Sequence, residues 1–196
     1  VWRADRPQKG RYREFYQCDV DIIGTDSLLA EIELISLVDE VFTELNVETI
    51  TKINNRKILQ GIAYWLQLDD DEFMNFTTIL DKLDKIGLDG VLDLFKNDAW
   101  DDEKISKLKN LINFSSNNKD WGEIINYLDS IFINNDIGKA GLNELKIIFD
   151  NLSFLELQNK QILDITLARG LNYYTGTIFE VVCDEVSLGS ICGGGR

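Results

Sequence analysis

The sequence predicts an α+β fold in which strands alternate with helices in the first part of the chain, strands return at its end, and an all-helical segment is inserted between the two. Three observations predict it. Residues 14–68 switch between an apolar period of two and one near 3.6, residues 69–155 keep the helical period only, and strand-like runs return after residue 156. The length of 196 residues, with 44% apolar and 28% charged side chains, suits a globular domain carrying one large insertion. The expected units are a core of residues 1–68, a helical insertion of 69–155 and a second core segment of 156–196.

The first element is a hairpin. Arg3, Arg6, Lys9, Arg11 and Arg13 gather on both sides of a turn at Pro7–Gly10, where guanidinium forks suit phosphate oxygens and carboxylates. A strand should follow, with Phe15, Gln17, Asp19 and Asp21 on one face and Tyr16, Cys18, Val20 and Ile22 on the other, the first a pocket face and the second mostly core. Thr25, Asp26 and Ser27 offer a cap for a helix over about 28–45, whose apolar positions include Ile32, Ile35, Val38 and Phe42. The β-branched run 47–54 reads as a strand, and Asn54 and Asn55 turn it into a helix over about 56–68. Helices continue to residue 155, with breaks expected at Gly87, at 115–118 and at 138–141. Strands over 162–171 and 176–184 are expected to form an antiparallel pair joined through 172–175.

Charge is divided unevenly. The chain carries a net −14, yet residues 1–13 are net +4 and residues 69–155 are net −9, so cations are concentrated where an anionic ligand would sit. Within the insertion, Lys104, Lys107 and Lys109 read as a solvated helix face or as a local phosphate-following patch. No apolar run is long enough to cross a bilayer and no signal-peptide pattern opens the chain, so a cytoplasmic protein is expected. Cys18, Cys183 and Cys192 lack metal-ligand spacing and read as buried free thiols; no metal site is expected, and with no histidine in the chain, a histidine base is excluded.

Three strings in family order carry a resemblance. The run R-x-x-R-P-Q-x-G-R-Y-R-x-F-x-Q-C-D-x-D over 3–21 resembles motif 2 of the histidyl-tRNA synthetases, class II aminoacyl-tRNA synthetases; LARGLNYYTGTIFE over 167–180 resembles the histidine-specific string R-G-L-D-Y-Y, and GSICGGGR over 189–196 the start of a second glycine-rich string. The resemblance implies a class II antiparallel sheet flanked by helices, and a fragment running from motif 2 into the second histidine string. It implies ATP-dependent activation of L-histidine to histidyl-adenylate and transfer to tRNA(His), with ATP as substrate, Mg²⁺ on its phosphates and a homodimeric parent. The alternative is a non-catalytic regulatory module, such as the regulatory subunit of ATP phosphoribosyltransferase or a tRNA-sensing domain.

Site residues follow from the same likeness. Arg3 and Arg169 would be catalytic at the α-phosphate; Arg3, Asp5, Arg11 and Phe15 would bind ATP; Arg3, Gln17, Asp21, Arg169, Tyr173 and Tyr174 would bind histidine. Recognition of imidazole needs a partner for each ring nitrogen, which a carboxylate and a phenol supply. From the residues alone, Tyr173 and Tyr174 could equally be sheet-packing aromatics and Asp21 a solvated acid. The chain departs from the family pattern at Asn172, where Asp is usual, which would weaken whatever that carboxylate orients.

Overall fold

The computed structural model describes residues 1–8, 10–118, 120–170, 173–183 and 189–196. Its framework begins at helix α1 (Leu29–Glu44); the N-cap position is Leu28, not one of the expected residues 25–27, and the helix has no side-chain cap, although the Ser27 hydroxyl accepts from the Leu29 amide at 3.3 Å. Strand β1 (Ile50–Asn55) follows and runs directly into α2 (Arg56–Trp65). Asn55 makes that junction possible: its side chain accepts from the Lys57 amide at 2.9 Å while its Nδ2 donates to Glu144 Oε2 at 2.7 Å. Then come α3 (Asp70–Leu80), α4 (Leu83–Asn97), α5 (Asp102–Asn117), α6 (Trp121–Ile131) and α7 (Asp136–Leu152), before β2 (Lys160–Leu163), β3 (Thr177–Val182) and β4 (Ser190–Gly195).

The four strands form one sheet in the order β2-β1-β3-β4. This corrects the expected pairing. β2 and β3 are not partners, because β1 lies between them, parallel to β2 and antiparallel to β3; the sheet is mixed, antiparallel except at that edge. Leu171, Asn172 and Asp184, which fell in the expected strands and their connection, lie outside the described residues.

Alternation along β1 decides what each sheet face meets. Asn55 reaches α7 through Glu144, with Ile53 and Thr51 on the same side, whereas Lys52 and Asn54 point to the other side. Helices α1, α2 and α7 pack together, and α2 and α7 also touch β1. The crossing of α2 and α7 corrects a second expectation: Gly138 and Gly141 lie inside α7 and do not break it. They are small because helices meet there. A Cβ on Gly138 would fall 2.6 Å from the Phe132 ring, and one on Gly141 would fall 2.8 Å from Lys57 Cβ. The actual break, at 132–135, is closed by Asn135, whose side chain caps α7 at the Gly138 amide. Gly87 does break its helix: at φ 71° it kinks α4. One apolar core runs through sheet and helices, from Ile35 and Ile53 to Phe76, Phe95, Leu128 and Leu145.

The predicted strand after the hairpin is not formed. Phe15 still exchanges backbone bonds with Val1 at 2.7 and 3.1 Å, but residues 16–22 have no ladder partner among the described residues, and Tyr16, Cys18, Val20 and Ile22, expected mostly in the core, are exposed. A strand is stable only when neighbours take its backbone N–H and C=O groups, and alternation alone supplies none. Cys183 is buried and Cys192 half-buried, as free thiols.

Candidate active site

The N-terminal hairpin is present. The Arg3 amide donates to Arg13 O at 2.9 Å, Gln8 and Arg11 exchange backbone bonds at 3.0 and 2.9 Å, and Gly10 takes φ 76° in the turn. Lys9 lies outside the described residues. Asp5 is the centre of the cationic group: its carboxylate meets Arg3 Nε at 3.2 Å and Arg11 Nη2 at 2.8 Å, while its carbonyl accepts from Arg13 Nε at 3.1 Å. The Arg3 guanidinium lies over the Phe15 ring at 4.3 Å. Arg3, Asp5, Arg11 and Phe15 therefore stand together on an accessible surface, with Arg6 exposed beside them.

A second group forms on the sheet face that carries Lys52 and Asn54. Asp164 turns the chain after β2 by accepting from the Thr166 amide at 3.0 Å and the Thr166 hydroxyl at 2.6 Å, and buried Asn54 Nδ2 holds the Leu167 carbonyl at 2.9 Å. That lays Arg169 across the sheet, where it forms an ion pair with Glu180 of β3. Gly170, at φ 65°, then accepts from the amides of both Tyr173 and Tyr174 at 2.9 Å. The Tyr174 ring rests where β4 has no side chain: a Cβ on Gly195 would stand 2.8 Å from it. Tyr173 packs edge-on against Tyr174 at 5.1 Å and stays exposed.

The result is a cleft of about 180 Å³ lined by Leu167, Arg169, Tyr174, Ile178, Glu180 and Gly194, among others. Burial pushes the Tyr174 phenol above its usual pKa, helped by the charges of Tyr173, Asp21 and Cys192. It therefore stays protonated at neutral pH and can donate. Asp21 itself lies on the exposed segment, and the residues that line the cleft do not include it. Gln17 is elsewhere engaged, its Nε2 donating to Asp19 at 2.7 Å on the exposed segment. Among the described residues, no hydrogen bond or ion pair joins the arginine hairpin to the Arg169 cleft.

Sequence reasoning missed three residues that shape this region. Glu180, only 6% exposed, takes Arg169. Lys52, opposite Glu180 on β1, bonds Asp84 of α4 at 3.2 Å and Asp164 at 3.3 Å. Burial by itself would lower the Lys52 pKa, but Asp164 and Asp84 outweigh it and hold the ammonium above its ordinary range. Arg196 clamps the buried Glu31 of α1 through Nε at 2.5 Å and Nη2 at 2.7 Å, and also donates to the Thr25 and Ser27 carbonyls that precede that helix. The available signal was a charge inside an apolar strand run, as in TIFEVV, since an unpaired charge is almost never buried.

A sheet of this order with a glycine-rich last strand, helices packed on it and an arginine-bearing hairpin is the fold of the class II aminoacyl-tRNA synthetases. A histidyl-tRNA synthetase from Nostoc sp. PCC 7120 superposes with a TM-score of 0.80 over 87% of this chain and 40% of that one, at 26% identity. The family model for histidyl-tRNA synthetase matches residues 1–196, and the chain belongs to that family. The histidine–tRNA ligase of Bacteroides fragilis is 50% identical over the whole of this chain, which spans 42% of that relative's length. A protein from Bacillus halodurans described as an ATP phosphoribosyltransferase regulatory subunit/histidyl-tRNA synthetase is 19% identical with a TM-score of 0.69, covering 88% of this chain and 43% of its own, a likeness of fold alone.

Proposed function

We propose that the protein activates L-histidine with ATP to histidyl-adenylate and then transfers the histidyl group to tRNA(His). The observation that carries this reading is the cleft shared by Arg169 and Tyr174. In the first step the histidine carboxylate oxygen attacks the α-phosphorus, the bond to the bridging oxygen breaks, and pyrophosphate leaves. In the second, a terminal ribose hydroxyl of the tRNA attacks the acyl carbon, the bond from that carbon to the phosphate oxygen breaks, and AMP leaves with the hydroxyl proton passing to one of its phosphate oxygens. The first step concentrates negative charge on phosphoryl oxygens, and guanidinium groups offset it without moving a proton.

The roles divide by position. Arg3 and Arg169 bear on the α-phosphate and the amino-acid carboxylate, Arg11 on the outer phosphates, and Phe15 stacks on adenine with Asp5 at its edge. Gln17 turns from Asp19 to the substrate amino or carboxylate group. The protonated Tyr174 phenol donates to one imidazole nitrogen, the Asp21 carboxylate accepts from the other, and Tyr173 lines the same pocket. A site that pairs both nitrogens rejects side chains that leave its own polar groups unpaired.

Among the described residues no three His, Cys, Asp or Glu side chains come together, so Mg²⁺, which the family implies, is assigned to the substrate. It would travel on the phosphates of ATP. We take residues 69–155 as the inserted helical unit, with α7 as its anchor on α2, and assign the protein to a cytoplasmic homodimer; no helix among the described residues is long and apolar enough to cross a membrane. Against the regulatory-module reading stands Arg169, held in place by Glu180 on the cleft.

The test is histidine-dependent exchange of pyrophosphate into ATP by the full-length protein. Exchange with histidine and with no other amino acid is the expected outcome. Histidine binding without exchange would overturn the ligase reading in favour of the regulatory one.

A further inference from the structure

We infer that Glu180 is the positioning residue for Arg169, holding its guanidinium at the cleft in the orientation the α-phosphate requires. The inference rests on the proposed role of Arg169 in activation and names a second residue that this role depends on.

The argument starts from an imbalance of burial. The Glu180 side chain is 8% exposed and that of Arg169 is 55% exposed, so a buried carboxylate is paired with a half-exposed cation. Burying a carboxylate is costly, and an apolar residue in this strand would serve stability at least as well. Every neighbour in the run Thr177, Ile178, Phe179, Val181 and Val182 is uncharged. Lys52, directly across the ladder, does not answer the Glu180 charge, because its ammonium is committed to Asp84 and Asp164. Among the described residues, Arg169 is the only recorded ion-pair partner of Glu180, and Glu180 the only one of Arg169.

Geometry completes the case. The pair stands where two cavities meet, the cleft of about 180 Å³ beside Tyr174 and a second of about 240 Å³ bounded by Lys52, Asp84 and Asp164. Arg169 carries five N–H donors in a rigid fork, so a strand-fixed carboxylate on one edge sets the plane of the rest. Without it the guanidinium could turn into the second cavity, away from the place a phosphate would occupy.

The experiment is a double-mutant cycle in the full-length protein, read by pyrophosphate exchange, with Glu180→Gln, Arg169→Ala and the two combined. Glu180→Gln should lower kcat roughly ten- to a hundredfold, the scale of a displaced reacting group, and raise KM for histidine by less than the fall in kcat, within about tenfold, since Arg3 also holds the histidine carboxylate. In the Arg169→Ala background it should cost nothing further. Additive losses, or a Glu180→Gln enzyme with unchanged kcat while Arg169→Ala is inactive, would overturn the inference and leave the role of Arg169 standing. Full exchange by Arg169→Ala would remove that role and the inference with it. Should Glu180→Gln not fold, Glu180→Asp keeps the charge but retracts it by one methylene; the same kcat-limited loss supports the inference and unchanged kcat overturns it.

Discussion

Replacing Gly61 by Ala tests how α2 is held against α7, and with it the platform under the site. An added Cβ would stand 2.7 Å from Phe132 Cζ and 2.9 Å from Gly138 Cα, so reaching ordinary contact at 3.4 Å requires the two elements to separate by several tenths of an ångström. Neither neighbour can yield: Phe132 is fully buried and Gly138 Cα is backbone. In an unobstructed helix the substitution would gain about 1 kcal/mol, whereas overpacking of this kind costs about 1–3 kcal/mol, so the expected net is a loss of up to about 2 kcal/mol. Gly90 is the control. A Cβ there meets only Ile86, its Cβ and Cγ1 at 3.1 Å, so a shift of a few tenths of an ångström at the Gly87 kink suffices and Gly90→Ala should gain up to about 1 kcal/mol. Urea midpoints of the two variants should shift in opposite directions. A Gly61→Ala protein as stabilised as Gly90→Ala would refute the reasoning. The displacement should also reach the site, because the Arg56 amide at the start of α2 donates to Gly176 O at 2.8 Å and its guanidinium donates to Tyr174 O at 3.4 Å.

Two further substitutions probe the polar groups beneath the cleft. Lys52→Met should cost roughly 1–3 kcal/mol at neutral pH by leaving Asp164 without its cation. Because folding raises the Lys52 pKa above about 10.5, its contribution is complete below that pH and is lost as the pH climbs through the higher folded value. Melting temperatures across the alkaline range should therefore fall more steeply for the wild type than for the variant, and parallel curves would remove the ion pairs from the account. Asn55→Ala removes both the α2 cap and the bond to Glu144, for a loss of roughly 2 kcal/mol in urea unfolding. A loss near zero would mean that water replaces both partners.

What the sequence disclosed depended on whether neighbours had to be known. Helices α1 and α2 and strand β1 are close to their expected ranges because each carries its own period and Asn55 its own cap. Residues 15–22 carry a period too, but a strand also needs a partner, and the alternation says nothing about where one lies. Gly138 and Gly141 looked like a break because a glycine chosen for close approach and one chosen to end a helix are the same letter; only their packed neighbours, Phe132 in the preceding turn and Lys57 far away in sequence, distinguish them. In the candidate site, Arg169 and Tyr174, which the quoted strings single out, line one cleft, whereas Asp21 is not among its lining residues. Glu180 and Lys52 were not legible in the sequence, because their meaning lies in ladder partners and in α4, which come from separate parts of the chain.

The central claim is that the cleft beside Arg169 reads both nitrogens of an imidazole, one through Tyr174 and one through Asp21. Calorimetric titration of the full-length protein with L-histidine and with its two ring-methylated forms tests it most directly. Since each methyl group removes one polar partner and adds bulk, both methylated forms should bind at least about tenfold more weakly than histidine. Equal affinity for either one would contradict the assignment of that nitrogen's partner.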